Sequence, residues 1–157
     1  MKRMFLAAVA AIALTASAGA QQLPVSYGNP ITLEQAKTVV AAAERSAQSR
    51  KFTMAFAVVE PSGELVLFHK MDGTQYGSEL VAREKARTAA RFKRSTKAFS
   101  DSVAGGRNAV LSLPGVVAIE GGTPIVINGR IVGAIGVSGG TSEQDGEVAE
   151  AALLGLE

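Results

Sequence analysis

Two residues near the end of the chain constrain its fold more than any others. Asn128-Gly129 stands between the apolar runs 123–127 and 130–137. Asn and Gly both accept the positive φ angles of a two-residue turn whose twist matches that of paired strands, so this dipeptide predicts an antiparallel hairpin. A second hairpin is expected upstream. The runs 52–60 and 65–70 are rich in β-branched and aromatic residues, and Pro61-Ser62-Gly63-Glu64 between them supplies turn chemistry. Met71-Asp72-Gly73 then breaks the pairing. The apolar stretch 116–120 reads as one more strand, which gives five.

Helical periodicity fills the gaps. Thr32 and Gln35 have the spacing of a capping box, in which hydroxyl and amide satisfy each other's backbone N–H. Leu33, Ala36, Val39, Val40, Ala43 and Ala47 then recur on one face through Arg50. A second helix is expected from Ser78 to about Arg94, with Ala82, Ala86, Ala89 and Phe92 as its buried stripe. A shorter piece follows from Thr96 through Val103. A last helix, opened by Ser142 and Asp145, carries Val148, Ala151, Ala152 and Leu154. Hairpins in runs, rather than strict strand–helix alternation, imply an α+β fold: an antiparallel five-stranded sheet with packed helices.

The 157 residues suit one domain, and the formal charge of +2 with a pI near 9.1 suggests a basic protein. The first twenty residues account for that impression. Lys2 and Arg3 precede an apolar run ending at Leu14, and Ala18-Gly19-Ala20 forms a small-residue cleavage site. This is the pattern of a signal peptide, cleaved near Ala20, with an uncleaved membrane anchor as the alternative. Removing residues 1–20 takes two of the 16 basic residues and none of the 14 acidic ones, so the exported chain is neutral. Residues 21–30 read as a lead-in tether and 31–157 as the domain, placed in the periplasm or outside the cell. Nucleic acid fits poorly with a neutral, exported chain that has few aromatic residues.

Zero cysteines exclude a disulfide framework, a thiolate nucleophile and a zinc finger. The one histidine, His69, excludes any site needing two imidazoles from one chain. Gly136-Val137-Ser138-Gly139-Gly140 matches the G-x-S-x-G nucleophile elbow, but that chemistry needs a histidine after the serine. The same glycines before a helix could instead bind an anion, although Glu143 and Asp145 would repel a phosphate. A close strand-to-helix turn is the plainer reading. Gly121-Gly122 is either a bulge or a point of ligand approach. His69, at the end of a strand beside Leu65 and Leu67, is either a wet strand-end side chain or a ligand to heme iron or another metal.

Arg83, Arg87, Arg91 and Arg94 form one basic stripe along the second helix, whereas the tail from Thr141 onward holds only acidic charges. The stripe is a solvated face, a site for carboxylates or heme propionates, or half of a subunit contact. Lys85 and Thr88 flank the apolar stripe and could edge a pocket with Met71, Asp72 and Gly73 at its mouth. Alternatively, Lys85 is a surface lysine with a packed stem. An enzymatic reading assigns Asp72, Lys85 and Asp145 as acid–base groups acting on a small carboxylate or carbonyl substrate.

Taken together, these segments resemble the GlcG/HbpS-like heme-binding family over about residues 31–155. The resemblance is carried by Val59-Glu60-Pro61-Ser62-Gly63-Glu64-Leu65, Lys70-Met71-Asp72-Gly73-Thr74 and Lys85-Ala86-Arg87-Thr88-Ala89. It is closest in Gly121-Gly122-Thr123-Pro124-Ile125 and Gly133-Ala134-Ile135-Gly136-Val137-Ser138-Gly139, with Gln144-Asp145 behind them. It implies a profilin-like sandwich that forms homo-oligomers and takes a small-molecule ligand, heme or a related tetrapyrrole in some relatives. Some relatives work with a membrane sensor partner, and one branch is fused to corrinoid enzymes. His69 stands where relatives commonly carry arginine. The expected ligand-binding set is His69, Met71, Lys85, Arg87, Thr88, Gly121 and Gly122, with His69 as the iron ligand. A signalling or structural oligomer without a ligand is the remaining alternative.

Overall fold

A computed structural model describes residues 25–154 and 156 of the chain. The expected signal peptide and the first residues of the expected lead-in lie outside the described residues. Chain order is α1 (Leu33–Ser49), β1 (Ala55–Val59), β2 (Leu65–Lys70), α2 (Ser78–Phe92), α3 (Thr96–Ala104), a 3-10 turn (Asn108–Ser112), β3 (Gly122–Ile127), β4 (Arg130–Ser138) and α4 (Ser142–Ala151). The strands form one antiparallel sheet in the order β2-β1-β4-β3. Both expected hairpins are present, and the central β1–β4 pair joins them.

Alternation along the two central strands sends different side chains to the two faces. Phe56, Val58, Ile135 and Val137 meet Val39, Val40 and Ala43 of α1 and Val148 and Ala149 of α4. Ala55, Ala57, Val59 and Ala134 meet Ala82, Ala86, Ala89 and Ala90 of α2. The second face is built almost wholly from alanine, and Gly136 lies directly under the Ala82 carbonyl. Small residues on both surfaces let α2 lie close on the sheet. The first face carries the bulky side chains, among them Phe56 and Ile135, both fully buried. Each such side chain contributes roughly 1.5–3 kcal/mol by leaving water.

Capping boxes fix the starts of α1 and α4. Thr32 with Gln35 forms the expected capping box on α1, and Thr141 with Gln144 forms a second on α4, one residue before the expected Ser142. Neither Ser78 nor Thr96 acts as a cap. Each is the first residue of its helix, buried, with its hydroxyl used in a long-range hydrogen bond.

Among the described residues the sheet has four strands and not five. The stretch 116–120 is apolar enough for a strand, but its backbone is engaged by a helix. Thr88 Oγ1 donates to Gly115 O at 3.1 Å and accepts from Val117 N at 3.0 Å, holding the segment across α2 and away from the sheet edge. The lead-in is docked from Ser26 onward. Ser26 and Gly28 bond to Ile131 beyond the end of β1, and the Tyr27 hydroxyl donates to Ala90 O at 2.9 Å.

Candidate functional site

The expected site residues fall into three groups. The first is a buried junction. Lys85 leaves α2, passes the start of β3 and donates to Asp145 Oδ2 at 2.7 Å and to Val137 O at 3.2 Å. Its side chain is 1% exposed and that of Asp145 4%. Asp145 Oδ1 accepts from Gly140 N at 2.9 Å. Burial raises the Asp145 carboxyl above the ordinary carboxylate range, against the opposing pull of Lys85 and of the Gly139 and Gly140 N–H groups. Gly121 explains how the pair fits: its φ is +124°, and a β-carbon there would stand 2.8 Å from both Lys85 Nζ and the Asp145 β-carbon. Gly122 is equally confined, against the Lys85 carbonyl and Thr96. The closest approach at this glycine pair is therefore made by the chain's own lysine.

The arginine stripe forms the second group. Arg87 Nε donates to Gly63 O at 3.2 Å, and Arg91 Nε donates to Ser62 O at 2.7 Å. Glu64 and Glu84 lie beside the same guanidinium groups. Arg87 thus fastens the β1–β2 turn to α2. Arg83 faces Glu79 on its own helix.

The third group lines an open cavity of about 340 Å³ between α1 and the end of β2. His69, Lys70, Met71 and Asp72 come from β2 and the residues after it, and Glu44 and Gln48 come from α1. The His69 ring stacks on Phe56, with centroids 6.0 Å apart and planes 16° apart. Its Nε2 is buried and has no hydrogen-bond partner among the described residues. Glu44 Oε1 lies 3.5 Å away, and Gln48 Nε2 donates to that same oxygen at 3.2 Å. Lys70 extends its ammonium over the Tyr76 ring at 5.2 Å and has no carboxylate partner among the described contacts.

The structure brings Lys85, Asp145, Gly121 and Gly122 together at the junction, while Thr88 instead holds Gly115 and Val117. It brings His69, Met71 and Asp72 together at the cavity. Asp72 is exposed and shares no hydrogen bond or ion pair with Lys85 or Asp145 among the described contacts. Ser138 of the elbow-like motif is buried, and its hydroxyl donates to Ser78 Oγ at 3.1 Å. Sequence reasoning missed Glu44 and Gln48. Their spacing, one turn apart and next to the buried Ala43 and Ala47, marks them as rim residues of α1, but nothing local ties them to His69.

Chemically, the cavity offers an imidazole, a thioether and a cation, with the carboxylates of Glu44 and Asp72 and the Gln48 amide around them. Among the described residues no three His, Cys, Asp or Glu side chains gather around one point. A metal held by side chains alone is thus not built here, whereas an iron porphyrin brings its own equatorial nitrogens and asks the protein chiefly for an axial donor. His69 suits that requirement by donor chemistry, Met71 adds a thioether, and Lys70 suits a propionate.

Comparison with known proteins bears on the same question. A family profile described as "Haem degrading protein HbpS-like" matches residues 31–154. Protein GlcG of Escherichia coli is 38% identical over 108 residues, which cover 69% of this chain and 81% of GlcG. Among solved structures, the crystal structure of HbpS matches with a TM-score of 0.74 and 28% identity, over 94% of this chain and 99% of the other. A heme complex of PduOC matches with a TM-score of 0.71 and 27% identity, over 79% and 93%.

Proposed function

This chain belongs to the HbpS-like family, and from that premise we propose that it binds heme or a related tetrapyrrole. The observation that carries the reading is His69 Nε2, a buried nitrogen without a hydrogen-bond partner beside an open cavity. A buried polar atom left unpaired costs stability, so its retention calls for a reason, and ligation is one. The solved heme complex of a relative sharing this fold supports the same reading. Bound there, heme would supply a redox-active iron. Within the chain, His69 would hold the iron, the stacked Phe56 would keep the plane of its ring fixed, and Lys70 would pair with a propionate.

The acid–base reading gains no support from the geometry. Lys85 and Asp145 are committed to each other in a buried pair, and neither lines the cavity that holds Asp72. Export and self-association complete the proposal. The pattern of residues 1–20 supports export, and the family resemblance supports self-association.

Titration of the purified protein with hemin, followed at the Soret band, tests the central claim. Saturable binding is expected, with the spectrum altered in His69→Ala. Absence of a saturable shift in the wild-type protein would overturn heme binding, and an unchanged spectrum in His69→Ala would overturn His69 as ligand. Native mass spectrometry of the exported protein checks the N-terminus and the subunit number.

A further inference from the structure

We infer that Glu44 is a gate over His69, held shut by Gln48, which must swing aside before Nε2 can meet a ligand. The inference deepens the heme reading, and its first test does not depend on it. Three observations lead to it. His69 is 41% exposed as a side chain, yet its Nε2 atom is buried, so solvent meets other atoms of the ring and not the donor nitrogen. The Glu44 carboxylate stands 3.5 Å from that nitrogen. Gln48 Nε2 donates to the same carboxylate oxygen from one turn further along α1.

The ring itself has little freedom to escape this cover. It stacks on the fully buried Phe56, and β2 is paired to β1 at Phe56↔His69. The carboxylate is the movable part. Glu44 is on the outer rim of α1, 33% exposed, and its side chain can turn toward water at low cost. A residue that merely supported the histidine would bond to Nδ1 and leave the donor nitrogen open. Glu44 instead stands 3.5 Å from Nε2 with no hydrogen bond to it. It is thus a positioning residue that controls access, and Gln48 sets how firmly it does so.

His69 is the chain's one histidine, which makes a direct chemical readout possible. Diethyl pyrocarbonate modifies accessible imidazole, and the ultraviolet absorbance of the product follows this residue alone, with His69→Ala as the blank. In the protein without added ligand, Glu44→Ala is expected to react about two to five times faster than wild type, the scale of a partly exposed charge contact. Gln48→Ala should move the rate in the same direction and less far. Hemin should associate faster with Glu44→Ala by a similar factor. Equal or slower modification of Glu44→Ala, with an unchanged melting temperature, would overturn the gate. If no variant binds hemin but the modification rates separate as expected, the gate stands and the heme reading falls. If hemin binds and the rates do not separate, the heme reading stands and the gate falls.

Discussion

Lys85 Nζ lies 2.7 Å from Asp145 Oδ2, and this one contact ties helices on opposite faces of the sheet. α2 packs on the alanine face and α4 on the bulky face, so the lysine must reach past the sheet at Gly121 to make it. Burial raises the Asp145 carboxyl in spite of the lysine, which means that desolvation offsets much of the attraction. Removing one partner should therefore cost far more than removing both. Asp145→Ala strands a buried ammonium and is expected to destabilise by about 3–5 kcal/mol. The double variant Lys85→Met, Asp145→Leu should recover most of that loss, less the bond to Gly140 N. Urea unfolding of the three proteins checks the order.

Gly136 makes the alanine face possible. A β-carbon there would collide with the Ala82 carbonyl oxygen and stand 2.6 Å from Ala86 N, and neither backbone atom can turn away. Gly136→Ala should force α2 off the sheet and destabilise by about 1–3 kcal/mol, the range of an overpacked core. Gly77 is the control, since a β-carbon there would meet nothing within 4 Å and its φ is an ordinary −62°. Gly77→Ala should change stability by no more than about 0.5 kcal/mol. Thermal melts of both variants test the contrast.

Local sequence carries the elements well and the site less well, for a physical reason visible in particular residues. Asn128-Gly129 and Thr32 with Gln35 satisfy their own neighbours, so a turn and a cap can be read from four or fewer positions. Thr88 and Val117 are 29 residues apart, and their bond is what keeps 116–120 out of the sheet. Lys85 and Asp145 are separated by 60 residues, so the sequence shows two charges without showing that they neutralise each other. His69 is legible as unusual because it stands alone in composition. Its covering carboxylate is not, since Glu44 becomes relevant only when α1 crosses the end of β2. The motifs that suggest a pocket, Gly121-Gly122 and Lys85, serve packing at the junction, and the open cavity lies where β2 ends.

The Thr88 hydroxyl should control the order of the segment it holds. It both donates to Gly115 O and accepts from Val117 N, so Thr88→Val keeps the shape and removes both bonds. The expected loss is about 1–2 kcal/mol, as for buried groups deprived of a partner. Hydrogen exchange should speed up at 115–119 more than in the β1–β4 pair. Uniform acceleration across the protein would instead indicate global destabilisation without a specific hold on this segment.

Glu143 sets an acid-side dependence of stability. It is in the first turn of α4, where its own backbone N–H and the Thr141 side chain hold its carboxyl below the ordinary glutamate range. A carboxyl whose value is lower in the folded than in the unfolded state contributes stability above the unfolded value, and that contribution fades as pH falls through the folded one. Glu143→Gln should therefore melt below wild type at neutral pH. The gap should narrow as the solution is acidified below the usual range for glutamate and should close once the wild-type carboxyl is protonated. Melting curves for the two proteins from neutral to acidic pH give the comparison; a gap that stays constant across that span would show that Glu143 acts by packing and not by charge.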